Sequence, residues 1–115
     1  MNRKEFDEII EWFRSDDPLT YEGGYYALTD RVDDVLDWLM ELEAQETDDR
    51  MKEKFVELIG KSESPQAIDL MRRSLKSSVY EVRMWAYQNL TFSSKEECKE
   101  ITAEFKKANP NEEFL

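Results

Sequence analysis

Apolar residues recur at three- and four-residue spacing in six segments of this 115-residue chain, and in none do they alternate with polar ones. That period lines the apolar positions up along one stripe of a helix, whereas alternation would place them on one face of a strand. A striped helix is stable only when another element covers the stripe, so the pattern restricts the chain to packed helices. The first segment, Asn2 to Arg14, carries Phe6, Ile9, Ile10 and Phe13. Asn2 can cap it with Glu5 at the capping-box position, and Asp16-Asp17-Pro18 stops it. A second helix is expected from Asp30 to Ala44, capped by Thr29 and striped by Val32, Val35, Leu36, Leu39 and Leu42. A third runs from Asp48 to Ile59, capped by Thr47 and ended by Gly60.

Ser64-Pro65 opens a fourth helix, in which Ile68, Met71 and Leu75 face inward. The capping boxes Ser78-x-x-Glu81 and Ser94-x-x-Glu97 open a fifth and a sixth. The fifth carries Val82, Trp85, Ala86 and Leu90, and the sixth carries Cys98, Ile101 and Phe105 before Asn109-Pro110 ends it. Ser15 to Leu28, with Gly23-Gly24 and Tyr21, Tyr25 and Tyr26, reads as a long connection, which either serves function, as loops of this length often do, or has tyrosines that simply cover the end of the core. Residues 1–109 are therefore expected to form one all-α domain. Residues 110–115, polar until Phe114 and Leu115, read as a tail without fixed structure.

Twenty-seven acidic residues against 16 basic ones give a formal net charge of −11. Such a field repels nucleic-acid backbones and anionic membranes and attracts basic proteins. So much charge can signal disorder, but three Trp, six Phe and five Tyr supply a core. The chain has no His, which removes Ser/His and Cys/His nucleophiles, His acid–base chemistry and His-ligated metals. No phosphate-cradling glycine motif occurs, so no cofactor, metal or catalytic residue is expected. The lone Cys98 excludes an internal disulfide and falls on an apolar stripe. No stretch approaches the ~20 apolar residues that span a bilayer. A cytoplasmic location is the expectation.

The third and fourth helical segments can be laid on the fifth and sixth. A shift of about 31 puts Met51 on Val82, Phe55 on Ala86 and Ile59 on Leu90; one of about 30 puts Ile68 on Cys98, Met71 on Ile101 and Leu75 on Phe105. The stretch Phe55-Val56-Glu57-Leu58-Ile59-Gly60, then Ala67-Ile68, Leu70-Met71 and Leu75, then Val82-Arg83, Ala86 and Leu90, resembles the HEAT repeat. It departs from that pattern in the turn before Val82, where Ser77-Ser78 replace the usual Asp. The resemblance implies a short right-handed α-solenoid of about three helix pairs, used for protein binding. Some members of the wider superfamily excise alkylated bases or act as tetrapyrrole lyases, and the acidic charge argues against DNA here. Arg83, at the family's Val-Arg position, is expected to tie one turn to the next through backbone carbonyls or a nearby acid.

The second helix carries the sharpest functional pattern. At about 100° per residue, Asp30, Asp33, Asp34, Asp37 and Glu41 fall within roughly a 100° sector opposite the apolar stripe, with no base among them. The sixth helix adds Glu97, Glu100 and Glu104. Alternate helices of a solenoid share one side, so these acids are expected on a common, concave surface, with Trp38 as an aromatic anchor at its rim. The chain therefore reads as a non-catalytic module for a basic protein, most specifically an immunity or antitoxin protein masking a basic toxin. The alternative is an adaptor that holds a peptide or helix in a larger assembly. Oligomeric state is left open.

Overall fold

Local chemistry sets the helix starts. In the computed structural model, which describes residues 1–114, α1 (Arg3–Phe13) begins where Asn2 Oδ1 accepts from the Glu5 amide at 2.9 Å. Asn2 Nδ2 donates back to Glu5 Oε1 at 3.1 Å. Phe6, Ile10 and Phe13 are buried.

The expected connection from Ser15 to Leu28 is instead largely a helix, α2 (Pro18–Thr29). Asp17 accepts from the Thr20 amide and hydroxyl at 3.0 and 2.8 Å, and Pro18 occupies the first helical position. The glycine pair that reads as a turn signal serves packing. A Cβ on Gly24 would lie 2.6 Å from the Phe13 backbone nitrogen, so a side chain there would hold α1 and α2 apart. A Cβ on Gly23 would meet nothing within 4 Å.

The second expected helix starts later than its periodicity suggests. Residues 30–35 form turns, with the Asp34 and Val35 amides both donating to the Arg31 carbonyl, and α3 spans Leu36–Gln45. These turns keep nearly helical phase, which is why Val32 and Val35 are still buried. Thr29 caps nothing here; its hydroxyl donates to the Tyr25 carbonyl.

Asp48, not Thr47, caps α4 (Asp49–Ile59) by accepting from the Met51 amide at 3.1 Å. Gly60 follows with φ −65°, so no left-handed cap ends this helix. Asn89 of α6 occupies the space beside Gly60, and its Nδ2 donates to the Val56 and Glu57 carbonyls at 3.2 and 3.3 Å. Those carbonyls belong to the last turn of α4, where Val56 also accepts from the Gly60 amide at 3.1 Å and Asn89 adds a donor from outside the helix.

Ser64 and Pro65 open α5 (Pro65–Ser74) as expected. The two later capping boxes do not form. Val79 precedes α6 (Tyr80–Phe92) and Lys95 precedes α7 (Glu96–Ala108), neither with a side-chain cap bond. Ser77 and Ser93 instead accept from the Val79 and Lys95 amides.

Among the described residues there are seven helices and no strand. α1 packs on α2, α3 on α4, α5 on α6, and α7 on α6. α2 touches α4, and α4 packs broadly on α6, so these three form a row. The row begins at Pro18, Asp49 and Tyr80, equal steps of 31 residues. Phe13, Leu28, Phe55, Ile59, Met71 and Leu90 are wholly or almost wholly buried in one continuous core.

Residues 109–114 are not a loose tail. The Glu112 amide donates to the Asn109 carbonyl at 3.1 Å, closing a turn through Pro110. The turn returns Phe114 to the aromatic rings of α6 and α7. Leu115 lies outside the described residues.

Candidate functional site

The acidic residues occupy the turn before α3 and the start of that helix. Asp30, Asp33 and Asp34 lie in the turn and Asp37 and Glu41 on α3, all exposed. Asp33, Asp34 and Asp37 line an open groove of about 570 Å³, with Leu36 at its floor and Glu63, Ser64 and Gln66 opposite. The wall is thus the beginning of α3 on one side and of α5 on the other.

Asp33 has a structural tie as well. Its Oδ1 accepts from the hydroxyl of buried Ser62 at 2.6 Å, pinning the turn to the α4–α5 connection. Glu63, which no periodicity marks, accepts from the Ser94 amide at 3.3 Å. No cation pairs with Asp30, Asp34 or Asp37 among the described residues. Their charge is therefore open to solvent and to a partner.

The remaining expected residues diverge from this groove. Glu41 faces α1, 3.8 Å from Arg3. Trp38 is half-buried against α1, with the Phe6 ring 5.2 Å away and the Arg3 guanidinium 5.4 Å from its own ring. Glu97 pairs with Arg72 at 3.0 Å, and Glu104 borders a separate cavity of about 470 Å³ with Arg72, Lys76 and Arg83. Glu100 is exposed on α7. Arg72 and Arg73 of α5 lie between the two acidic helices, so the α3 and α7 acids form no continuous face. Only the Asp33, Asp34 and Asp37 part comes together.

The row of α2, α4 and α6 bears a second polar cluster that the sequence does not announce. Tyr25 bonds the half-buried Glu57 carboxyl, and burial pushes that carboxyl above its ordinary range. Burial, aided by Glu57, pushes the Tyr21 hydroxyl up to about 12. Lys54 sits 4.2 Å from the Tyr21 ring centroid, Lys61 lies near Tyr25, and Trp85 Nε1 donates to Glu53 at 3.2 Å. Acids, bases and rings are matched within this cluster, so it holds the row together. The tyrosines lie on a helix and not on the expected connection, and that places them against α4.

Arg83 meets both expected kinds of partner, donating to the Ser77 carbonyl at 3.0 Å and to Glu112 at 2.5 Å. Cys98 is buried, as its stripe position implies. No group of three or more Asp, Glu, Cys or His side chains could hold a metal among the described residues. Among the described residues no helix is long and apolar enough to cross a membrane. Comparison with protein-family models, with curated proteins and with solved structures finds no match.

Proposed function

We propose that the chain is a HEAT-like protein-binding module that captures a basic protein on the acidic groove between α3 and α5. The observation that carries this reading is the convergence of Asp33, Asp34, Asp37 and Glu63 on one open groove, with Asp34 and Asp37 unpaired. Carboxylates left without cations repel one another, a cost that a solvated face has no reason to carry and a cationic ligand removes. A net charge of −11 extends the attraction beyond the groove and speeds encounter.

The solenoid reading is supported by the 31-residue steps of α2, α4 and α6 and by extents of 43 × 25 × 23 Å. In a curved array the row whose backbones crowd together is the inner one, here α2, α4 and α6. The acidic groove then lies on the outer side and not on the concave side that the HEAT resemblance implies. Masking of a basic toxin, such as a nuclease, in the cytoplasm is the most specific form of this function, and no catalytic step is part of it. An adaptor role is the second reading, favoured by Leu19 and Tyr26 on α2, which are 79% and 60% exposed.

Parallel capture with wild-type and Asp34→Lys/Asp37→Lys bait tests the proposal. A basic protein retained by the wild type and lost by the variant is expected. A partner retained equally by both would remove the groove from the function.

A further inference from the structure

The segment after α7 shows what a different surface of the molecule binds. Phe114 lies among three aromatic rings, with centroid distances of 5.2 Å to Tyr87, 5.6 Å to Tyr80 and 5.8 Å to Phe105. Two residues earlier the Glu112 carboxylate accepts from Arg83 Nε at 2.5 Å. Between them the Tyr80 hydroxyl donates to the Glu113 backbone carbonyl at 2.8 Å. Lys106 lines the same cleft, which keeps about 290 Å³ of open space beside Phe114. In a chain with 27 acids and 16 bases, this is a place where cations and rings gather around an acidic segment.

Each contact reads one feature of a short extended segment: a charge, a backbone carbonyl and a ring. A pocket that only closed the core would need the ring alone. The segment is also shallowly held. Glu112 and Phe114 are half-buried and Glu113 is exposed, whereas Val82, Ala86 and Ile101 of α6 and α7 are buried. Such a segment can open without global unfolding.

We infer that the cleft between α6 and α7 is a recognition site for a partner segment of the form Glu-x-Phe, and that residues 112–114 occupy it in cis. This site is independent of the acidic groove and takes a ligand of opposite charge. Arg83 supplies the charge contact, Tyr80 the backbone contact, and Tyr80, Tyr87 and Phe105 the ring box. A tethered competitor joined by a short turn acts at an effective concentration of roughly millimolar, so a partner competes well only when its affinity exceeds that threshold or when the cis segment is disabled.

The test uses the full chain and a fluorescent peptide, acetyl-Asn-Pro-Asn-Glu-Glu-Phe-amide, read by anisotropy. A Glu112→Ala/Phe114→Ala chain should bind this peptide at least about tenfold more tightly than the wild type, since its own competitor is gone. Changing the peptide's Phe to Ala, or its first Glu to Gln, should remove at least about tenfold of that affinity. Because those changes sit in the peptide, they test the site without disturbing the protein's fold. Equal binding to both chains, indifference to the peptide changes, or no binding at all would overturn the proposal. So would a wild-type dimer that the Phe114→Ala substitution dissolves, because the occupant would then be a second copy of this chain.

Discussion

Replacing each member of the Gly23-Gly24 pair by alanine separates packing from propensity at adjacent positions of one helix. Alanine is favoured over glycine inside a helix by about 1 kcal/mol, and both positions lie within α2, so this gain is common to the two variants. The difference between them isolates the cost of the new methyl group. At Gly23 the methyl meets nothing within 4 Å, and Gly23→Ala should stabilise by about 0.5–1 kcal/mol. At Gly24 it would stand 2.6 Å from the Phe13 nitrogen, 3.0 Å from Phe13 Cα and 3.1 Å from the Trp12 carbonyl carbon. Non-bonded contacts relax near 3.5–4.0 Å, so α1 would have to move by roughly 1 Å, and backbone cannot rotate aside as a side chain can. Overpacking of this kind costs about 1–3 kcal/mol. Gly24→Ala should therefore fall below Gly23→Ala by that amount in urea unfolding, with unchanged m-values. The thermal midpoints should differ by several degrees. Equal stabilisation of both variants would refute the close crossing of α1 and α2.

Other perturbations test the remaining parts. Phe55→Ala removes a ring with no exposed surface and should cost about 3–5 kcal/mol, whereas Arg72→Ala, which breaks only exposed ion pairs, should cost under about 1 kcal/mol in the same titration. Asn89→Ala removes the donor to the Val56 and Glu57 carbonyls and should cost about 1–3 kcal/mol; Gly60→Ala should destabilise further even in the Asn89→Ala background, because the β-carbon that alanine keeps at position 89 stands 2.7 Å from the new methyl group. Tyr21 keeps its proton in the folded chain to about pH 12 but releases it near pH 10 when unfolded, so the unfolded state binds fewer protons between these values. Its contribution to stability is complete below pH 10 and is lost as pH rises to about 12, a decline that Tyr21→Phe should remove from a pH series of urea midpoints. Burial raises the Glu57 carboxyl, so its contribution is present in acid and declines as pH rises above its ordinary range, and Glu57→Gln should flatten stability there.

The sequence specifies the all-helical class because stripes such as Phe55, Leu58 and Ile59 have one period and one use. Asn2 and Ser64-Pro65 predict the starts of α1 and α5 for the same reason: each local signal has no competitor. Pro18 and Gly23-Gly24 mislead because proline favours both turns and first helical positions, and glycine favours both loops and close crossings. Only the position of Phe13 across the interface decides between them. The acidic stripe was half visible. Asp33 and Asp34 share the groove with Asp37 because turns of nearly helical phase continue the stripe, whereas Asp30 stays outside it and Glu63 enters through tertiary folding alone. At the two later boxes the preceding serines, Ser77 and Ser93, bond the amides two residues on in place of Ser78 and Ser94, and Phe114 found its rings only once α6 and α7 were side by side.

The central claim, capture of a basic partner through the Asp34 and Asp37 groove, is tested most directly by association kinetics of the captured partner at about 0.1 M and about 1 M salt, where screening lengths are roughly 10 and 3 Å. Wild type should associate fast at low salt and slow steeply as salt rises. The Asp34→Lys/Asp37→Lys chain, folded and with an unchanged thermal midpoint, should associate at least about tenfold more slowly at low salt and approach the wild-type rate at high salt. Equal rates and equal salt dependence for the two chains would contradict the account.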